Sequence, residues 1–444
     1  MNPTWTRYLP GFIRKRIAGR PELLEVMDNS GWMMGDQIVR KAGGLLVGVL
    51  LARYLGPQLF GEFNYAIAIF LLVSPIAMLA LDGIVIRRIV QDPSCRDEIL
   101  GTAFVMMIAG GSLAFVLALA SIFLLRPEDS LVQWLVGILA AGNIIQAFIA
   151  IEFWFESQMQ WKYRVYAMTS AFLLLCIAKI GLILMQAPVV AFAWAGLVET
   201  TLGSIGLIIV YRWRGYSMRA WRFTWATAQS LLQDSWPLLF SVLLTMVYLR
   251  IDQVMLGNMS SSKELGNYAV AVQISEAWYF IPVVISSSVF PVIVESEASS
   301  EELFYEQMQK LYSLMAFLTY VIALPVAFFS KAIINLLFSS VYSDAAPLLA
   351  ILIWAGLFTG LEKARNCFIV AKNLTRMNLI SIALGSMLNI ILNFFLIPEY
   401  GAMGAVIATF ISYWLAVHGS CFILKPLRKT GWMMTKAIFY PKFW

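Results

Sequence analysis

The sequence predicts an all-α polytopic membrane protein: about twelve transmembrane helices in two pseudo-repeated six-helix bundles, with the N- and C-termini cytoplasmic. Three observations lead there. Of 444 residues, 60% are hydrophobic and 13% charged, whereas a soluble domain is near half apolar and about a quarter charged. Apolar runs of about 20 residues, the length that crosses a bilayer, recur along the whole chain. A short glycine-led motif appears at the same place in each half.

The elements follow in order. Residues 1–31 are basic and interrupted by Pro3, Pro10 and Pro21, without the compact apolar core of a cleavable signal peptide. Arg14-Lys15-Arg16 beside Phe12, Ile13 and Ile17 suits either a cytoplasmic membrane surface or a disordered tail. The first bundle, 32–211, holds spans at 32–52, 63–84, 100–125, 131–154, 165–186 and 189–211. Residues 212–234 form a basic, aromatic linker on the cytoplasmic surface. The second bundle, 235–424, holds spans at 235–257, 267–294, 307–330, 345–371, 376–397 and 403–424, and 425–444 is a cytoplasmic tail. The acidic stretch Glu295, Glu297, Glu301, Glu302 and Glu306 reads as a solvated helix start.

Loop charge sets the orientation. With an internal N-terminus, 22 of the 32 Lys and Arg residues lie in internal segments, 4 in external turns and 6 inside spans. That asymmetry places both ends inside and requires an even number of spans. No external loop is long enough to fold as a domain.

Composition also excludes functions. The net charge of +6 resides in short loops between apolar runs, so no nucleic-acid partner is expected. Cys95, Cys176, Cys367 and Cys421 have no metal or redox spacing, and His418 is the one histidine. No metal or other cofactor is expected. The absence of a nucleotide-binding loop argues against ATP hydrolysis.

Charges inside spans are costly, at about 2.5–3.5 kcal/mol each where a helix centre meets lipid. The basic ones are Arg40, Lys41, Lys179, Arg250, Lys363 and Arg365. The acidic ones include Asp36, Asp82, Glu199, Asp252, Glu276 and Glu362, with Glu152 at a span end. Such a set must line a cavity or pair internally. Asp36 and Arg40 are one turn apart, an i,i+4 pair, while Lys41 points elsewhere. Glu199 and Glu276 fall near mid-membrane in corresponding regions of the two halves. Arg250 and Asp252 lie towards the outer end of the seventh span. Glu362, Lys363 and Arg365 lie in the inner half of the tenth, where Glu362 can satisfy Arg365 at i,i+3. The translocation-path candidates are Asp36, Arg40, Lys41, Lys179, Glu199, Arg250, Asp252, Glu276, Glu362, Lys363 and Arg365. Asn389, Asn393 and His418 read as interhelical hydrogen-bonding residues, and Arg53 as a structural residue of an external turn.

The repeat is Phe60-Gly61-Glu62-Phe63-Asn64-Tyr65-Ala66 before the second span and Leu265-Gly266-Asn267-Tyr268-Ala269-Val270-Ala271 before the eighth. Glycine, an aromatic residue and small residues suit a tight entry into a closely packed helix. Six spans per copy make the halves parallel repeats about an axis along the membrane normal, with a substrate expected between them.

Three motifs carry a resemblance. Leu51-Ala52-Arg53-Tyr54-Leu55-Gly56-Pro57 with Phe60-Gly61 comes first. Gln273-Ile274-Ser275-Glu276-Ala277-Trp278-Tyr279-Phe280-Ile281-Pro282 with Phe290-Pro291 comes second. Asn389 and Asn393, followed by Ile397-Pro398-Glu399-Tyr400-Gly401-Ala402-Met403-Gly404, come third. Together they resemble the Wzx-type polysaccharide flippases of the multidrug/oligosaccharidyl-lipid/polysaccharide exporter superfamily. The resemblance implies a flippase of the bacterial inner membrane. It would move undecaprenyl-pyrophosphate-linked oligosaccharide repeat units, such as those of O-antigen or exopolysaccharide, to the periplasmic leaflet by alternating access. It further implies coupling to an ion gradient, and a polymerase and a chain-length regulator as partners.

The chain departs from the related lipid II flippases in two places. Val47-Gly48 stands where those carry an Arg-Asp pair, and Gln273 where they carry an arginine in the eighth span. Their phosphate-binding arginines therefore do not carry over, and any grip on phosphate falls to Arg40 and Lys41. Two other readings stay open. A multidrug/cation antiporter of the same superfamily would favour acidic mid-membrane residues over basic ones. A membrane polysaccharide polymerase or ligase would be expected to have a sizeable external loop rich in Arg and His.

Overall fold

The computed structural model describes residues 21–440, with side chains described at Asn29 and from residue 31 onward. The expected surface segment around Arg14-Lys15-Arg16 lies outside the described residues, as do 441–444. Within them the regular elements are helical, and ten stretches are long and apolar enough to cross a membrane.

Two of the ten are far longer than one crossing needs: Gly31–Gln91, 61 residues, and Thr375–Ile423, 49 residues. At about 1.5 Å per residue a straight helix of either length would far exceed a hydrocarbon core of about 30 Å. Each is broken at a glycine with positive φ, Gly56 (φ 71, ψ 169) and Gly401 (φ 55, ψ −132). Both lie where the sequence pattern places external turns. The external turn expected between spans 32–52 and 63–84 is thus a single residue of positive φ between two helices. At Gly401 an added Cβ would strike the Glu264 carboxylate. That carboxylate accepts a hydrogen bond from the backbone N–H of Ala402 at 2.6 Å and caps the helix that restarts there.

Further breaks shorten the expected spans. The helix after Gly56 ends at Met78, before the 84 expected, because Leu79 and Ala80 adopt positive φ ahead of the short helix Asp82–Gln91. The eighth span divides into Ser262–Glu276 and Phe280–Ser299. The tenth divides into Ala345–Leu352 and Ala355–Ala371.

The chain sorts into two compact units, Met1–Gly48 with Val73–Phe240, and Val49–Leu72 with Ser241–Trp444. In the first unit Leu81, Val85, Ile89, Leu100, Phe155 and Tyr211 are fully buried in one apolar cluster. The linker is part of this unit. Arg222 donates its backbone N–H to the Asp97 carbonyl at 3.1 Å, and the hydroxyls of Thr224 and Thr227 donate to Glu98. A Cβ on Gly101 would strike the backbone of Arg222. Residues 225–234, expected as linker, already belong to the helix Trp225–Met259, and Asp234 there pairs with Arg88 at 2.7 Å.

Residues 49–72 precede most of the first unit in sequence yet pack with the second. The two glycines of the repeated motif explain it. Gly61 faces the Ser262 carbonyl and the Gly266 nitrogen, and Gly266 faces the Pro57 carbonyl, each too close for a Cβ. The motif tyrosines are fully buried: Tyr65 hydrogen-bonds Asn258, and Tyr268 donates to Asp252. Tyr342 donates to the Ala52 carbonyl at 2.7 Å, and Arg53 to the Leu336 carbonyl. The C-terminal segment is more than a tail. Helix Arg428–Phe439 docks on Glu301–Phe328 through Thr430 to Tyr312 at 2.6 Å and Tyr320 to the Ile438 carbonyl at 2.7 Å.

Candidate functional site

In the first unit the charges form one network. Asp36, 4% exposed, accepts from Arg40 Nε at 2.8 Å, from an Arg164 terminal nitrogen at 2.9 Å and from the Thr169 hydroxyl. Arg164 Nε reaches Glu152 Oε2 at 2.7 Å, and the other Glu152 oxygen is buried without a partner. Two cations thus meet two carboxylates, with no net charge. The expected Asp36–Arg40 pair is present, but it is only half of the network. Arg164 reads from sequence as a loop residue. It lies in the first turn of Trp161–Leu184, just after the turn that follows Ala150–Ser157, where Glu152 sits. That bracketing of a short turn by a carboxylate and a guanidinium was the available signal.

Lys41 is exposed and has no ion-pair partner among the described residues, as its position one residue past Arg40 predicts. Lys179 bridges to Glu199 at 2.9 Å, linking Trp161–Leu184 to Val189–Trp213.

In the second unit Arg250 pairs with Glu276 at 3.2 Å. Asp252, 5% exposed, has hydroxyl partners instead: Tyr268 and, at 3.3 Å, Thr409, with the Gln253 backbone N–H at 2.7 Å. Asp252 and Glu276 both line a cavity of 10 Å³ with Tyr268, Tyr279, Thr409 and Tyr413, room for about one water.

The expected Glu362–Arg365 pairing does not form. Glu362 pairs with its neighbour Lys363 at 2.6 Å. Arg365 is 1% exposed and donates to the carbonyls of Ala416 and Val417, both at 2.9 Å, to Ser420 at 3.2 Å and to Asn378 at 3.2 Å. The cause lies on the facing helix. Leu415–Gly419 is a π-helical turn with a shifted hydrogen-bond register, and it is the Ala416 and Val417 carbonyls of this turn that take the guanidinium. His418, in the same turn, bonds Thr435 at 2.8 Å, and Asn393 donates to Asn389 at 2.9 Å.

Lys363 also lines a larger cavity of 360 Å³ between Phe280–Ser299 and Ala355–Ala371. Asn366, Ser286, Ser287 and Phe290 share that lining. No cluster of three or more His, Cys, Asp or Glu side chains that could hold a metal ion occurs among the described residues.

Of the eleven candidates, eight are brought together as the pairs Asp36–Arg40, Lys179–Glu199, Arg250–Glu276 and Glu362–Lys363. Lys41, Asp252 and Arg365 stand outside such pairs. Sequence reasoning missed Arg164, and Glu152 as its partner.

A family model described as polysaccharide biosynthesis protein matches residues 26–297, and a second, MatE, matches 237–395. A solved lipid II flippase MurJ in an inward closed conformation is similar, with a TM-score of 0.69 and 16% identity over 94% of this chain and 91% of that one. An inward-facing multidrug resistance MATE family transporter of the MOP superfamily gives a TM-score of 0.67 and 14% identity over 88% and 96%. An uncharacterized membrane protein of Methanocaldococcus jannaschii is 33% identical over 107 residues, 24% of this chain. The match spans 20% of that relative's length. The fold is that of multi-pass transporters and flippases.

Proposed function

We propose that this chain, which belongs to the polysaccharide biosynthesis protein family, is a flippase for undecaprenyl-pyrophosphate-linked oligosaccharide repeat units. It would carry O-antigen or exopolysaccharide units from the cytoplasmic to the periplasmic leaflet of a bacterial inner membrane. Alternating access and ion-gradient coupling belong to the proposal. So do twelve crossings, counted by dividing two long helical stretches at Gly56 and Gly401, with both termini cytoplasmic. A polymerase and a chain-length regulator are the proposed partners.

The observation that carries the reading is the disposition of charge within apolar helices. The Lys179–Glu199 and Arg250–Glu276 pairs hold helix to helix, and Lys41 is left exposed beside the Asp36–Arg40 pair. A polar head group crossing hydrocarbon needs a wet path with some cationic character, which the lipid tail need not enter. Lys41 is the proposed contact for the incoming pyrophosphate, with the remaining paired charges along the path. Arg365, whose two terminal nitrogens are engaged by protein acceptors, is proposed to serve the path only by holding its helix.

A second reading, a multidrug/cation antiporter, draws on the MatE match and on Asp252, a carboxylate buried beside a small cavity. A deletion strain separates the two. The flippase reading expects lipid-linked repeat units to accumulate on the cytoplasmic face. Wild type should clear them, whereas Lys41→Ala and Arg250→Ala at normal abundance should not. Unchanged lipid-linked and surface glycan pools in the deletion strain, with no second flippase present, would move the antiporter to first place.

A further inference from the structure

The cavity between Phe280–Ser299 and Ala355–Ala371 lies within one unit of the fold and combines hydroxyl, amide, ammonium and aromatic side chains. We propose that it is a subsite for a single neutral sugar ring of the glycan; the inference rests on the flippase reading and names where in the chain the glycan itself is recognised.

Four features support it. First, the volume of 360 Å³ lies at the lower end of ligand pockets, about 300–1,000 Å³, and suits one ring rather than a polyisoprenyl tail. Second, Ser286 is 6% exposed, and its hydroxyl, lining the cavity, has no hydrogen-bond partner. A buried hydroxyl left unbonded is uncommon and marks a place for a polar ligand atom. Third, Pro291 follows Phe290 inside the helix and has no N–H to give the Ser287 carbonyl one turn back. That leaves a backbone acceptor at a residue that lines the cavity. Fourth, Phe290 offers an apolar face for the C–H side of a sugar, while Asn366 offers both an amide donor and an acceptor.

Charge selects among ligands. Lys363 is already paired with Glu362 at 2.6 Å, so the cavity's cation comes neutralised. An ammonium has three donors, and the pair leaves others for sugar hydroxyls. A pyrophosphate would bring uncompensated negative charge next to the Glu362 carboxylate. The Phe290-Pro291 dipeptide thereby acquires a role: it supplies the platform and frees the acceptor.

The test uses the full-length protein in nanodiscs and two probes. One is lipid-linked oligosaccharide extracted from cells lacking the protein. The other is undecaprenyl pyrophosphate without glycan. Wild type should prefer the glycan-bearing lipid by about tenfold. Asn366→Ala and Phe290→Ala should bring that ratio to about one and leave affinity for the bare lipid unchanged, while Phe290→Trp should keep the preference. Asn366 is exposed, so its variant decides the matter should Phe290→Ala fail to fold. If wild type binds both lipids and Asn366→Ala leaves the ratio unmoved, this subsite is wrong and the flippase reading stands. If wild type binds neither lipid, the flippase reading and the subsite fall together.

Discussion

Arg164 and Arg365 make an instructive pair. Both are helical arginines of apolar helices, and they are satisfied by opposite means. Arg164 lies between two carboxylates on two other helices, Asp36 and Glu152. Arg365 has no carboxylate and rests on two carbonyls of a π-helical turn, a serine and an asparagine amide. In the first unit charge cancels charge. In the second, backbone dipoles solvate a cation, and Glu362 is thereby released to pair with Lys363 beside the larger cavity. The contrast shows that a buried charge need not be neutralised to be tolerated, and that where it is not, a nearby pair becomes available for other work.

Removing each arginine should therefore fail differently. Arg164→Ala leaves two carboxylates without their shared cation and should cost about 3–5 kcal/mol, read as a large drop in melting temperature in detergent. Neutralising the whole network together, with Asp36→Asn, Arg40→Gln, Glu152→Gln and Arg164→Gln, should recover most of it. Failure to recover would mean that Arg164 acts by packing rather than by charge.

Arg365→Ala should cost about 2–3 kcal/mol, from the charge-assisted hydrogen bonds lost. Glu362→Gln should cost much less, because Glu362 is not its partner; an equal loss in the two variants would restore the i,i+3 pairing. The Lys179–Glu199 pair, 19% and 24% exposed, should show a coupling of about 1 kcal/mol in a double-mutant cycle. The Lys429–Glu301 pair sets the lower bound: at 3.7 Å and 58% and 74% exposed, it should show a coupling below about 0.5 kcal/mol in the same kind of cycle, which sets aside the Lys429 contact with the Tyr305 ring.

The sequence was most legible where a signal is local. Apolar runs disclosed the helices, and the Asp36–Arg40 spacing disclosed its pair. The repeated glycine motif disclosed tight packing, though not that Gly61 and Gly266 would face one another across a single crossing. Breaks inside helices were less legible. The positive φ of Leu79 and Ala80 arises at non-glycine residues, where local sequence has little to say. The partners of Arg365 could not be read at all, since a π-helical turn leaves no sequence mark and lies some fifty residues away. Arg164 was misplaced for a simpler reason: a basic residue near a span end looks the same whether it faces water or a carboxylate.

The most direct test of the central claim is translocation by the purified chain. Proteoliposomes would be loaded with lipid-linked oligosaccharide in the inner leaflet, and a glycan-cleaving enzyme added outside. The account predicts that wild-type protein exposes the inner pool to cleavage faster than protein-free vesicles do, and that Lys41→Ala loses that acceleration. Protection of the inner pool at the protein-free rate, with wild-type protein folded and an ion gradient applied in either direction, would contradict it.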